Sequence, residues 1–256
     1  MKSLPSFINM KIVQVLAIAL LYFLSVPGLQ GQVHYGMIEY EVTIDIHRNI
    51  PPEREELKAM IPQFQTVPYQ LIFNDTESLY KPKDDPDADL SRGRGPGGGG
   101  GMRMMRVPRA ETHINKTSRE VTVAQDFMGT NYLIAESLEI APWRIGDQVM
   151  DIEGYMCMMA WYTDTVQNQE ITAWFTPQIQ PFLGPDRYVT LPGTVLAVDV
   201  NNGERVWVAR KIEIREVRSS ELRKPNRGQR ISREDFNKMV QEQMERMGAR
   251  GAAFRF

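Results

Sequence analysis

The sequence predicts a mainly β protein: a single antiparallel, curved β-sheet or sandwich of about ten strands with a C-terminal amphipathic helix. Three observations carry that prediction. Short alternating or apolar segments recur with turn-forming residues between them, and no helical period separates them. One late segment, "SREDFNKMVQEQMERM", repeats its apolar residues at the helical period. The chain has 256 residues, 42% of them hydrophobic and 24% charged, which suffices for a sizeable core.

The chain opens on a leader. Lys2 and Lys11 give a basic n-region, and residues 12–26 ("IVQVLAIALLYFLSV") form an apolar run too short for an ordinary membrane span. Pro27-Gly28 breaks the run, and Gly31 is a small residue at its exit, so cleavage is predicted after Gly31. Residues 1–31 are then a signal peptide, and no membrane span follows it. An uncleaved anchor is the competing reading. Gln32, not a cysteine, stands directly after the cleavage point, which excludes a lipoprotein anchor. The formal net charge of −2 becomes −4 once the two lysines are lost, so the basic footprint of a nucleic-acid binder is missing. The lone cysteine, Cys157, excludes an intramolecular disulfide, and the domain at 32–248 must be held by packing.

The elements follow in order. Residues 34–48 ("HYGMIEYEVTIDIHR") alternate as a long strand, with Ile38, Tyr40, Val42, Ile44 and Ile46 on its core face. A short helix is expected over 53–60, between Pro52 and Pro62, and a strand over 69–74. Residues 81–106 ("KPKDDPDADLSRGRGPGGGGGMRMMR") have almost nothing to bury and read as a disordered loop. Strands are expected over 110–115, 120–125, 130–137, 154–163 and 170–176. Two more, 194–200 and 205–214, flank Asn202-Gly203, a pair that accepts the positive φ of a tight hairpin. Ser232 caps the helix with Asp235 as its partner, and Phe236, Met239, Val240, Met244 and Met247 share one face. The apolarity of both faces of 154–163 predicts a strand buried under that helix. Residues 249–256 form a flexible tail.

Candidate chemistry is sparse. His34, His47 and His113 fall in no metal-ligand or nucleophile pattern, and His47 on a polar strand face reads as a solvated side chain. Cys157 has methionine and aromatic neighbours, the setting of a buried inert thiol rather than a Cys157–His113 nucleophilic pair. The clusters Met102-Arg103-Met104-Met105 and Met156-Cys157-Met158-Met159 raise copper(I). On a strand, however, Met156 and Met158 point one way while Cys157 and Met159 point the other, so packing is the better reading. The glycine run "GPGGGGG" lacks the Lys-Ser/Thr of a phosphate loop. Glu39 and Glu41 read as solvated charge. No catalytic residue, metal ligand or cofactor is expected.

The most specific stretch is Trp174-Phe175-Thr176-Pro177, then Gly184-Pro185, then Leu191-Pro192-Gly193. These motifs resemble the GLPGLI family, exported proteins of Bacteroidota, over about residues 34 to 245. Trp143 with Ile145, and Gly154-Tyr155 before Cys157 and Ala160, also match family positions. The namesake hexapeptide is degenerate: Thr190 stands for its first Gly, and Thr194-Val195 for Leu-Ile. The resemblance implies a signal peptide, a β-rich body and an envelope accessory role, with no catalytic residues to transfer.

The expectation is therefore a non-catalytic protein of the periplasm or outer membrane, a binding or accessory module with an outer-membrane or periplasmic protein partner. A carrier of a lipid or other apolar ligand in a curved sheet is the alternative; a copper protein or an enzyme ranks below both. Within the quoted stretch Pro177, Pro181 and Pro185 cannot donate ladder bonds, so the chain leaves the sheet there. Leu191-Pro192-Gly193 is expected to turn it back, with Gly193 at positive φ. The nine motif residues form a turn and a candidate binding rim.

Overall fold

The computed structural model describes residues 34–50, 52–83 and 109–248. The leader with its cleavage site, residues 84–106 of the glycine- and arginine-rich segment, and residues 249–256 lie outside the described residues. Twelve strands form one open sheet: β1 (Gly36–Asp45), β2 (Phe64–Phe73), β3 (Glu77–Pro82), β4 (Ala110–Asn115), β5 (Glu120–Phe127), β6 (Thr130–Ser137), β7 (Arg144–Ile152), β8 (Tyr155–Asp164), β9 (Gln169–Thr176), β10 (Thr194–Val200), β11 (Arg205–Glu213) and β12 (Gln229–Ile231). Among the described residues one α-helix, α1 (Arg233–Gly248), follows.

The order across the sheet is β12-β6-β5-β4-β3-β2-β1-β11-β10-β9-β8-β7. Two meanders, β1 to β6 and β7 to β11, meet where β1 pairs with β11. All pairings are antiparallel except that of β12 with β6. The connection from β6 to β7 bends this sheet. Flat, those two strands would stand about 48 Å apart at the usual strand spacing. The link 138–143 reaches about 25 Å at most, so the sheet must curl. Trp143 in that link donates from Nε1 to the carbonyl of Val189 at 3.0 Å, pinning the link to what fills the curl.

The first strand shows why the elements form. Ile38, Tyr40, Val42 and Ile44 are buried, and the residues between them are half-buried. The strand ends at Asp45, earlier than expected, because Asp45 accepts from the His47 amide (3.0 Å) and starts a 3-10 turn over Ile46–Asn49. Ile46 therefore leaves the strand face. His47 is half-buried, with Nε2 3.0 Å from the carbonyl of Ile61, rather than solvated. The helix expected over 53–60 is a 3-10 helix, Pro52–Ala59. β2 starts five residues before the expected Tyr69 and contains Pro68. The Pro68 carbonyl accepts from the Lys83 amide (3.0 Å), so the missing N–H faces the end of β3, where it breaks no ladder bond.

Strands β3, β7 and β12 lie where no strand was expected, and β3 continues through Lys81 and Pro82. β7 is hidden by a bulge: Ile145 opposes Ala160 but Val149 opposes Met158, so two extra residues break its alternation. The hairpin loop between β10 and β11 has three left-handed residues in a row, Asn201 (φ 52°), Asn202 (52°) and Gly203 (92°).

Ser232 caps α1 as expected: its Oγ accepts from the Asp235 amide (3.0 Å) and donates to the Asp235 carboxylate (2.9 Å). Phe236 is buried between Phe127 and Tyr132, with edge-to-face ring distances of 6.0 and 5.4 Å. Met239 and Val240 pack partly on the same cluster; the side chains of Met244 and Met247 lie outside the described residues. The helix therefore covers β5 and β6 at one end of the sheet. It does not cover residues 154–163, which form β8 near the other end.

Candidate functional site

The quoted motif is the filling of the curled sheet. β9 ends at Thr176, and residues 177–193 fold inward as a strap before β10 begins. Ile179, Leu183, Tyr188, Val189 and Leu191 of the strap are buried. Most of them pack with Tyr40, Phe175, Leu196 and Trp207 in the main core; Val189 joins the cluster under α1. Trp207 donates to Tyr80 Oη (3.1 Å), Tyr40 Oη donates to the Val195 carbonyl (2.6 Å), and Tyr69 stacks on Tyr80 at 4.8 Å. Burial pushes the Tyr69 hydroxyl up to about 12 and that of Tyr40 well above its usual value.

Of the nine motif residues, Phe175, Thr176, Gly184, Pro185, Leu191 and Gly193 are buried. Trp174 is half-buried beside Met159, and Pro177 and Pro192 are exposed. The structure brings Phe175, Thr176 and Gly193 together at one point, and Gly184 against Val195 at another. This is a packed corner whose surface consists mainly of two prolines. Gly193 does not have positive φ. Its requirement is close approach, since a Cβ there would lie 2.6 Å from the Thr176 carbonyl carbon. The left-handed residues of the strap are instead Phe182 (φ 58°), Asp186 (52°) and Thr190 (71°). Thr190 is held by its surroundings: its Oγ accepts from the Ala141 amide and from Trp143 Nε1, both at 3.3 Å.

Gln180 ties the strap to the ends of the interior strands β1 to β4. Its side-chain nitrogen donates to the carbonyls of His34 (2.8 Å) and Asn74 (2.9 Å), and its side-chain oxygen accepts from Lys116 Nζ. Half-burial pulls the Lys116 amine down to about 8, against the opposing pull of Asp75. No sequence pattern distinguishes this cluster, because its members come from four separate segments.

The titratable groups considered from sequence are scattered. Cys157 is buried, donates weakly to the Tyr155 carbonyl (3.4 Å), and burial followed by Asp151 pushes its thiol up to about 12. A group so protonated is a poor nucleophile at neutral pH. Glu39 and Glu41 are paired, with Lys83 (2.7 Å) and Arg210 (2.7 Å). Among the described residues, no three His, Cys, Asp or Glu side chains are placed to hold a metal ion. A cleft of about 20 Å³ beside Arg187, Arg205 and Trp207 has room for little more than water.

The hairpin of β7 and β8 is different. Cys157 and Ala160 have opposite parity yet are both fully buried, so β8 is covered on one face near one end and on the other face near the other. What remains is exposed and apolar: Ile145 (53%), Val149 (60%) and Met156 (53%) on one face, Met150 (41%) and Trp161 (37%) on the other. The apolarity of both faces of 154–163 marked this region, but the sequence assigned its cover to the helix.

Comparisons with known proteins add the following. The family described as "Protein of unknown function (Porph_ging)" matches residues 163–197, a short segment that includes the whole quoted motif. That is consistent with a Bacteroidota family and does not extend to GLPGLI itself. No curated protein matches the chain. Two crystal forms of PNGF-II are similar in fold. The P21 form has a TM-score of 0.54 at 13% identity, covering 82% of this chain and 34% of that one. The C2 form has a TM-score of 0.53 at 14% identity, covering 82% and 33%. The chain thus spans about a third of that protein's length, and at these identities the likeness is one of fold alone. Among the described residues, no helix is long and apolar enough to cross a membrane.

Proposed function

We propose that the chain is an exported, non-catalytic accessory module of the cell envelope that binds a protein partner through the β7–β8 hairpin. The observation that carries this reading is the exposure of Ile145, Val149, Met150, Met156 and Trp161 on one hairpin at the sheet edge. Large apolar side chains cost free energy in water, and a sheet-edge hairpin that exposes them on both faces marks an interaction surface. The bulge in β7 and the exposed Asp147 within it discourage simple strand-to-strand addition, so side-chain contacts are the favoured mode. Export rests on the basic, apolar leader, and the envelope setting on the GLPGLI resemblance. The carrier reading gains no support, because the strap occupies the interior that an apolar ligand would need.

Photo-crosslinking residues placed at Val149 and Met156, in cells that produce the full chain, test the proposal. A discrete protein adduct from both positions, absent when Trp161→Ala and Ile145→Ser are combined, is expected. Native mass spectrometry showing a bound lipid, with no protein adduct from either position, would overturn it in favour of the carrier.

A further inference from the structure

Two buried side-chain atoms have no hydrogen-bond partner among the described residues, His113 Nε2 and Thr122 Oγ1. They are neighbours. His113 opposes Thr122 across β4 and β5, and Leu79 opposes His113 on β3. In the adjacent row Glu77 opposes Asn115, which opposes Glu120. Residues two apart on a strand share a face, so both rows lie on the side of the sheet away from Ile114, Val121 and Val123. That outer face carries a cover. Segment 214–228 crosses it, burying Leu222 against Ile72 and Leu79, with Met37 and Val217 packed alongside.

The cover is held by few ties. Lys224 Nζ reaches Glu120 at 2.5 Å, in the row next to the orphan histidine. Within the segment, Arg215 pairs with Glu221 (2.6 Å), and the Arg218 amide donates to the same carboxylate (3.0 Å). His113 is 3% exposed, and its Nε2 stands 3.8 Å from Glu77 Oε2, beyond hydrogen-bond reach. A buried imidazole so placed is costly to charge, because burial penalises the cation.

We propose that segment 214–228 is an acid-sensitive latch, in which protonation of His113 beneath it releases Lys224 from Glu120 and lifts Leu222 off Ile72 and Leu79. The charged groups facing His113 are Glu77 on β3, Glu120 on β5 and Lys224 on the latch. In the neutral state Glu120 is free to hold Lys224. An imidazolium repels Lys224 and competes for Glu120, so one proton acts twice against the same tie. Burial, the largest influence, holds the His113 pKa below its usual value, with Lys224 acting in the same direction and the two glutamates opposing. The latch therefore stays closed at neutral pH and yields on acidification.

Hydrogen exchange on the full chain tests this, read as protection factors corrected for the intrinsic rate at each pH. The latch amides of Glu221 and Leu222 donate to the carbonyls of Arg218 and Ser219, and report its closure. Between pH 7.5 and pH 5 their protection should fall by about tenfold, while β10 and β11 keep theirs. His113→Gln, neutral at both pH values, should abolish the step. Lys224→Met should weaken latch protection already at pH 7.5 and shrink the step. Unchanged latch protection in the wild-type chain, a loss shared equally by β10 and β11, or a full step retained in His113→Gln would each overturn the proposal.

Discussion

Gly193 lies against the backbone of Thr176: a Cβ at position 193 would come 2.6 Å from the Thr176 carbonyl carbon and 3.0 Å from Phe175 Cδ2. The end of the strap and the end of β9 thus pack main chain to main chain. Gly193→Ala alone should cost about 1–3 kcal/mol, the usual range for overpacking a closed site. Urea denaturation measures it. A cost below about 0.5 kcal/mol would mean the strap shifts freely and close approach is not what requires the glycine.

Two adjacent strap residues should respond in opposite ways. Leu183 is fully buried, so Leu183→Ala should cost about 2–5 kcal/mol. Phe182 is partly exposed and left-handed, so Phe182→Gly removes backbone strain and should leave stability within about 1 kcal/mol. Similar costs at both positions, in matched urea curves, would contradict the placement of the strap.

The helix should matter to one part of the sheet. Phe236 is wedged between Phe127 and Tyr132, and Arg233 makes a two-point contact with Glu136 at 2.9 and 2.8 Å. Phe236→Ala should cost about 3 kcal/mol or somewhat less, because the site lies at the sheet end. Truncation after Ser232 should expose Phe127 and Ile134 and strip exchange protection from β5 and β6 before β10 and β11. A truncated chain with full protection throughout would show that the helix packs elsewhere.

Lys116 gives a pH dependence of definite sign. Its folded value of about 8 lies below the 10.5 of an unfolded lysine. Between those values the unfolded chain holds more protons than the folded one, so this group makes stability rise with pH. Above pH 10 the buried tyrosines oppose it, since Tyr40, Tyr69, Tyr80 and Tyr188 ionise more readily when unfolded. Between pH 8 and 10 the Cys157 thiol, held up at about 12 in the fold, opposes it as well, so that window is read in a Cys157→Ala background. Lys116→Met should flatten the upward slope there in denaturation midpoints, and an unchanged slope would assign it to other groups.

Local pattern was legible wherever a strand has one wet face. The alternation of Ile38 to Ile44, the loop at Asn202-Gly203 and the Ser232 cap with Asp235 all sit where the residues place them, because each is decided within a few positions. β7 was hidden by its bulge. β3 lies at the margin of a composition change, and β12 holds three residues that exist as a strand only because β6 offers an edge. Of the motif, the sequence showed where the chain leaves the sheet, since proline cannot donate a ladder bond.

By itself, then, the sequence determined class and punctuation: a β-rich chain, its main turns, one capped amphipathic helix and a thiol set among apolar neighbours. Those depend on dihedral preference and short-range period. The tertiary structure decided what covers what. A six-residue link forces twelve strands to curl, the curl needs filling, and Ile179, Leu183 and Leu191 of the strap supply it. That turned an expected binding rim into core, put the helix over β5 and β6 instead of β8, and left the β7–β8 hairpin bare. Burial is a property of distant pairs brought together by sheet order, and no window of sequence contains both members of such a pair.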